Sequence, residues 1–376
     1  MWTEVTAEAD AAIDGVDTSA LPAAMRRLDE AALPAMARAV GRGGLFRPGV
    51  RHSGDQVANR LRAAERHRWL LRRWLTVLCD EGWLHRDQDT GFLHDLTPVS
   101  RTEVETAAAI VPHAAEMLGY PREMGDFFAA ALATLPRLLT DDIALQTLLF
   151  PDGDLTTADG AYRDNVINRY LNAAAAAILR AEAAARVPGR LRVLELGAGV
   201  GGTTAAVIDA LAGSDVDYLF TDVSRFFLDA GRQRFGDRLR YAIADINTGP
   251  LPGPFDVVLA ANVLHNAVHV GHLLDRLKTV LAPGGLLVVI ESCREHYQAL
   301  TSMQFLMSPR EGAARPGTGD IRAGTDRIFL TRNEWLGLLA VHGYRPELDL
   351  PDPGGPLSAL AQHVFAVRTS DTDHQG

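Results

Sequence analysis

The chain has 376 residues, 47% hydrophobic and 22% charged, the balance of a globular protein with room for two domains. That composition excludes a disordered chain, a collagen-like chain and a small disulfide scaffold. With 37 basic and 47 acidic side chains the formal charge is −10, which repels phosphate backbones and argues against non-specific nucleic-acid binding.

The first fifteen residues are acidic and lack the basic-then-apolar order of a secretory signal. No stretch approaches the roughly 20 apolar residues needed to span a bilayer. The only cysteines are Cys79 and Cys293, with no CxxC, so neither a zinc site nor a disulfide framework is expected, and a cytoplasmic location is. Up to about residue 160 the pattern is helical. Residues 21–40 predict a helix with a break at Pro34. Residues 65–79 form an amphipathic stretch carrying Trp69, Leu70, Leu71, Trp74, Leu75 and Leu78. Trp83/Leu84 and Phe92/Leu93 then flank a polar turn ending in Gly91, a hairpin signal. Helix followed by hairpin predicts a winged-helix-like element. Further helices are expected over 102–118 and 123–139. Residues 165–186 place Val166, Ile167, Leu171, Ala174, Ile178 and Leu179 at helical spacing, and Pro188 with Gly189 ends the run.

From there strands alternate with helices. Strands are expected over 191–196, 216–220, 239–244, 256–260 and 286–290, and helices over 203–211, 224–235 and 268–281. Such alternation argues for a parallel sheet covered on both faces. A helix over 332–342 and late runs at 347–350 and 364–367 complete it as a final antiparallel pair. The expected fold is therefore α/β, a Rossmann-like sheet behind a helical N-terminal domain. The expected division is a helical lid over 1–158 and a catalytic domain over 159–376. The polar tail from Thr369 is expected to fray.

The strongest local signal is LELGAGVGGTT, residues 194–204. A strand runs into glycines and then a helix, where backbone can approach a ligand and the helix N-terminus stabilises negative charge. Gly197, Gly199 and Gly202 satisfy the dinucleotide pattern GxGxxG. Three acids shift the reading from a dinucleotide to S-adenosylmethionine. Glu195, inside the strand end, can pair with an α-ammonium directly or through water. Asp222, closing the next strand, can accept from ribose hydroxyls. Asp245, after the third strand, can accept from an adenine amino group while Ile246 packs on the ring.

These residues resemble the class I S-adenosylmethionine-dependent methyltransferases over roughly residues 160–368, through VLELGAGVGG, Asp222, ADIN, FDVVLAANVLH and LAPGG. They resemble more closely the methyltransferase domains of polyketide synthases and nonribosomal peptide synthetases. That likeness rests on LFPDGDLTTADGAYRDNVINRYLN, YLFTDVSRFFLDAGRQRF, ANVLHNA and TRNEWLGLLAVHGY. With no flanking carrier, ketosynthase or adenylation segment, a free-standing version is expected. The cofactor-binding set is Glu195, Gly197, Ala198, Gly199, Asp222, Val223, Asp245, Ile246, Asn262 and Tyr162, with Tyr162 and Tyr170 candidates to close over the cofactor.

His265 follows the fourth strand and Glu291 ends the fifth, both at the carboxyl edge where α/β sheets bind ligands. A histidine beside a glutamate is held in one tautomer and made more basic, which suits proton abstraction from a carbon between carbonyls. In the resembling C-methylating domains such a pair acts as a dyad. His265, His269 and His272, with His296 downstream, also offer a face for a divalent metal. MQFLMSP, residues 303–309, reads as an apolar substrate wall or as a helix packed on the lid. Residues 310–326 are polar and Gly-rich and predict a mobile loop, where the synthase domains carry an aromatic-rich segment.

The function expected is C-methylation of an enolisable carbon, on a 2-oxo acid, a free β-dicarbonyl compound or a thioester on a carrier protein, in specialised-metabolite assembly. The alternatives are O- or N-methylation of a small molecule, or a nucleic-acid methyltransferase using the winged-helix-like segment and its basic run Arg60, Arg62, Arg66, His67, Arg68, Arg72 and Arg73. The expected partners are thus a small-molecule substrate and possible carrier protein, with no nucleic acid and no membrane.

Overall fold

Apolar, alanine-rich stretches wind the first third of the chain into helices in the computed structural model, which describes residues 1–149, 164–186, 189–309 and 312–369. They span Trp2–Ala11, Leu21–Val40, Gly54–Leu61, Arg68–Asp80, Arg101–Met117 and Arg122–Leu139, with a last turn at Gln146–Leu149. Two starts are fixed by reciprocal capping boxes, Ser53 with Gln56 and Ser100 with Glu103. The break expected at Pro34 does not occur: Leu21–Val40 is one helix with Pro34 inside it. Most of its side chains, Pro34 included, are buried, and that packing outweighs one missing backbone donor. The expected hairpin forms as strands β1 (His85–Arg86), just past Trp83/Leu84, and β2 (Leu93–His94), which begins at the second residue of the Phe92/Leu93 pair. No helix among the described residues is long and apolar enough to cross a membrane.

The helix Val166–Ala185, capped by the Asn165 side chain on the Asn168 N–H, leads into a seven-stranded sheet. Its strands are β3 (Leu191–Leu196), β4 (Val216–Asp222), β5 (Arg240–Ile243), β6 (Phe255–Ala261), β7 (Leu281–Ser292), β8 (Tyr344–Leu350) and β9 (Gln362–Thr369). Their order is β5-β4-β3-β6-β7-β9-β8. The first five neighbours are parallel, and β9 runs antiparallel to both β7 and β8. Alternate side chains feed two cores, as strand periodicity dictates. Leu194, Leu196, Val258 and Ala260 join the helices Val270–Val280 and Arg332–Val341 on one face. Val193, Val257 and Leu259 join Val166–Ala185 and the N-terminal helices on the other.

The chain builds outward from β3 through β4 to β5, then returns to place β6 on the other side of β3. That reversal opens a crevice beyond the carboxyl ends of β3 and β6, where sheets of this kind bind ligands. Residues 312–326 are irregular, as their sequence implies, but they are anchored and not free. Gly317 and Gly319 donate backbone N–H groups to Ala267 and Val268, and Arg322 is fully buried. Tyr162, the residue 158/159 boundary and the tail beyond Thr369 lie outside the described residues.

Candidate active site

A groove of about 980 Å³ follows the carboxyl edge of β3, β4 and β6. Gly197 turns the chain at φ +58°, and a Cβ there would stand 2.3 Å from Val263 Cγ2, so only glycine lets the loops after β3 and β6 close on each other. Gly201, at φ +75° and crowded by the Phe235 ring at 2.7 Å, carries the second such demand. Gly202, which the sequence pattern singles out, is instead the first residue of the helix Gly202–Ala210. The groove is lined by every described residue of the expected cofactor set: Glu195, Gly197, Ala198, Gly199, Asp222, Val223, Asp245, Ile246 and Asn262. Tyr170 lies elsewhere, buried in the core below the sheet.

The three acids differ in what they hold. Asp222, 6% exposed, accepts the Gly199 N–H at 3.0 Å on one oxygen and the Ser224 N–H at 2.8 Å on the other. Burial pushes its carboxyl up, against those backbone bonds. Asp245 accepts from the Asn247 N–H and the Thr248 hydroxyl, with Ile246 buried beside it. Glu195 departs from simple ammonium pairing. It is 1% exposed, and one oxygen already takes both the Thr204 hydroxyl at 2.7 Å and the Tyr218 hydroxyl at 2.8 Å. Burial pushes it up to about 7, opposed by those two bonds. A glycine cradle with no room for a Cβ, carboxylates at successive strand ends, and the apolar Ile246, Val223 and Phe226 fit S-adenosylmethionine.

A second cavity, of about 140 Å³, meets the groove at Asn168, Asn262 and Met307, which line both. Asn262 stands at the junction in a left-handed conformation, φ 52°, its N–H on the Ile290 carbonyl at 2.7 Å. Into this cavity projects His265, 2% exposed. Its Nδ1 lies 2.7 Å from Glu291 Oε2, while Glu291 Oε1 accepts the His265 backbone N–H at 3.1 Å. Glu291 is fully buried. An ionised carboxylate only accepts, so Nδ1 carries the proton, and in the neutral ring Nε2 is then the lone-pair nitrogen. Nε2 is buried and has no partner among the described residues. Phe329 stands edge-on to the imidazole, ring centres 4.9 Å apart.

Among the described residues, no group of three or more His, Cys, Asp or Glu could hold a metal ion. His269 caps its helix by accepting the His272 N–H and stacks on that ring at 3.6 Å, and His296 pairs with Asp29 at 2.9 Å. Four arginines of the basic run are likewise occupied: Arg66 pairs with Asp141, Arg68 with Glu65, Arg72 with Asp326 and Arg73 with Glu295. The Met-rich segment serves both readings made of it, because Met303 and Met307 line the cavity while Gln304 and Phe305 are buried behind them. Arg322 is a residue that sequence reasoning missed. It donates to the carbonyls of His265 and Ala267 at 2.7 and 2.8 Å and to Asp320, from a stretch whose lack of periodicity gave no signal of burial.

A methyltransferase-domain family matches residues 194–287. The pyochelin synthetase PchF of Pseudomonas aeruginosa is 31% identical over 338 residues, which is 86% of this chain and 18% of that protein. The solved DszA carbon methyltransferase is 26% identical with a TM-score of 0.76, over 92% of this chain and 89% of that one. The CurJ carbon methyltransferase shares the fold at a TM-score of 0.85 and 23% identity, over 98% of both chains.

Proposed function

Because the chain belongs to the class I S-adenosylmethionine-dependent methyltransferases, we propose that it methylates an enolisable carbon of a small keto substrate, free or held on a carrier protein, in specialised-metabolite assembly. The observation that carries this reading is His265 Nε2: a buried ring nitrogen with no partner among the described residues, facing a cavity that joins the cofactor groove. The carbon-methyltransferase relative supports the choice of a carbon acceptor, and the synthetase relative supports only the setting in specialised-metabolite assembly. Bound in the groove, S-adenosylmethionine supplies an electrophilic methyl group. Asp222, Asp245, Ile246 and the Gly197–Gly199 turn hold it there. His265 Nε2 takes the proton from a carbon between two carbonyls. Glu291 keeps Nδ1 protonated and stabilises the imidazolium that forms. The apolar wall of Met25, Phe128, Met303 and Phe329 keeps water from the nascent enolate.

The test is solvent deuterium exchange into keto acceptors with S-adenosylhomocysteine bound, together with location of the transferred methyl by NMR. Label should enter the acceptor carbon, and His265→Ala should lose about 10²–10⁴-fold of activity while the cofactor still binds. Glu291→Gln should lower turnover, and the double variant should be little worse than His265→Ala, because the pair acts as a unit. Absence of exchange together with methylation on oxygen or nitrogen would replace this reading with O- or N-methylation.

A further inference from the structure

The acceptor cavity contains a second imidazole arranged like the first. His296 lines the same 140 Å³ space as His265. Its Nδ1 lies 2.9 Å from Asp29 Oδ2, and its Nε2 is buried with no partner among the described residues. Asp29 comes from the Leu21–Val40 helix, where it is 6% exposed among apolar neighbours. A carboxylate in that position is costly unless bonded. Its other oxygen accepts the Gln298 N–H at 3.2 Å, and the Arg294 guanidinium approaches to 3.6 Å. The N-terminal helix therefore reaches across to fix both the ring and the backbone turn that bears it.

We propose that His296, oriented by Asp29, donates a hydrogen bond from Nε2 to the carbonyl oxygen of the acceptor as His265 removes the adjacent carbon-bound proton; this rests on the carbon-methylation reading above. Donation from Nε2 calls for the ring form that carries both protons, Nδ1–H directed at Asp29 and Nε2–H facing the cavity. In the step, the C–H bond breaks and its proton passes to His265 Nε2. The bonding pair becomes the enolate double bond, and the carbonyl pair moves onto oxygen, against His296 Nε2–H. Gln362 Oε1, the third unpartnered buried atom lining the cavity, is an acceptor and cannot stabilise that charge. The assignment selects acceptors with a carbonyl oxygen beside the reacting carbon, such as β-keto thioesters and 1,3-dicarbonyl compounds. It disfavours phenols and simple amines.

The experiment follows deuterium entry at C2 of the N-acetylcysteamine thioester of acetoacetate, above background, with S-adenosylhomocysteine bound to the full chain. His296→Leu and Asp29→Asn should each slow exchange, the former by about 10²-fold, as for loss of one oxyanion donor. Calorimetric affinity for S-adenosylhomocysteine should stay unchanged. His296→Gln, which restores an N–H donor, should recover part of the rate. Exchange at the wild-type rate in His296→Leu would overturn this role and leave His265 standing. Loss of S-adenosylhomocysteine binding in both variants would assign the pair to structure alone and also overturn it. No exchange by the wild type would overturn the carbon-acid reading itself, and His296 with it.

Discussion

A guanidinium with no solvent exposure must spend its N–H groups on protein acceptors, and Arg322 spends them around His265. It clamps the carbonyls of His265, Ala267 and Ile328, and Asp320 takes the remainder. The segment it reaches through Ile328 continues to Phe329, the ring against His265. Arg322→Met should cost about 3–5 kcal/mol, because the Asp320 carboxylate would lose its cation and keep only backbone N–H donors. Arg322→Lys keeps the charge but not the fork, so kcat should fall while cofactor affinity holds. An unchanged kcat in a folded Lys variant would remove the positioning role. Glu195 gives a prediction of a different kind. Its carboxyl, ordinarily near 4.5, is raised to about 7 by burial. Between those values the folded chain holds a proton that the unfolded chain has lost. The stability contributed by Glu195 is therefore fully present below 4.5 and is lost as pH rises through 7, by on the order of 3 kcal/mol. Glu195→Gln still accepts both hydroxyls and should flatten that decline, measured as urea midpoints from pH 5 to 8. The same variant should bind S-adenosylmethionine more weakly if Glu195 meets its ammonium. His265 and Glu291 were legible because strand ends bring distant residues to one edge. Arg322 was not, because its partners are carbonyls of another segment and a backbone carbonyl leaves no mark in a sequence.

At the scale of elements, the helix Arg68–Asp80 and the turn before it hold the cavity wall. His67 Nδ1 and Trp69 Nε1 converge on the Ser308 hydroxyl at 2.7 and 3.0 Å, and Trp74 Nε1 donates to the Leu300 carbonyl at 2.9 Å. Phe305 packs its ring against both His67 and Trp74. Met303 and Met307 thus face the acceptor because Phe305 and Ser308 are fastened behind them. Burial, helped by the Arg66 charge, lowers His67 from 6.5 to about 4. Between pH 6.5 and 4 the unfolded chain takes up a proton that the folded chain refuses. The contribution of His67 is therefore intact above 6.5 and lost as pH falls towards 4, by up to about 3 kcal/mol. Glu195 works in the opposite direction over part of that range, so the wild type alone cannot display it. The gap in urea midpoint between wild type and His67→Gln should narrow from pH 7.5 to pH 5. A constant gap would mean that His67 takes up its proton in the folded chain as readily as in the unfolded one. Element identity was legible wherever periodicity was strong, as in β3, where expected and observed limits coincide. Pro34 misled because a local rule was outweighed by burial that only the assembled fold supplies. Residues 310–326 misled because composition reports the absence of regular structure, not the absence of anchoring.

For the whole molecule, the question is whether the two textures of the chain are two folding units. The change near residue 158 is one of pattern, and we propose it as the border between a helical lid and a catalytic sheet. The core does not divide there. Leu21, Leu28, Trp74 and Leu132 belong to the same buried cluster as Val193, Val257, Val288 and Ala366 of the sheet. Asp29 and His67 further tie the helices to the cavity wall. Separating the two parts would expose the apolar side of Val166–Ala185 and the sheet residues that it leaves uncovered, along with the apolar sides of the helices that pack on them. Cooperative unfolding is the consequence, because no part could melt alone without that exposure. Calorimetry should therefore show one endotherm, with calorimetric and van't Hoff enthalpies in agreement. S-Adenosylhomocysteine supplies the decisive control. At 100 times its Kd, a ligand that binds only the folded state adds about 2.7 kcal/mol. The groove it would occupy is formed largely by loops at the carboxyl edge of the sheet. If the parts were independent, ligand would move the sheet's transition and leave a helical one behind. With a shared core, the single endotherm should move upward as a whole, and far-ultraviolet dichroism, dominated by the helices, should report the same midpoint shift as the endotherm. Two transitions of which only one responds would refute the shared-core account.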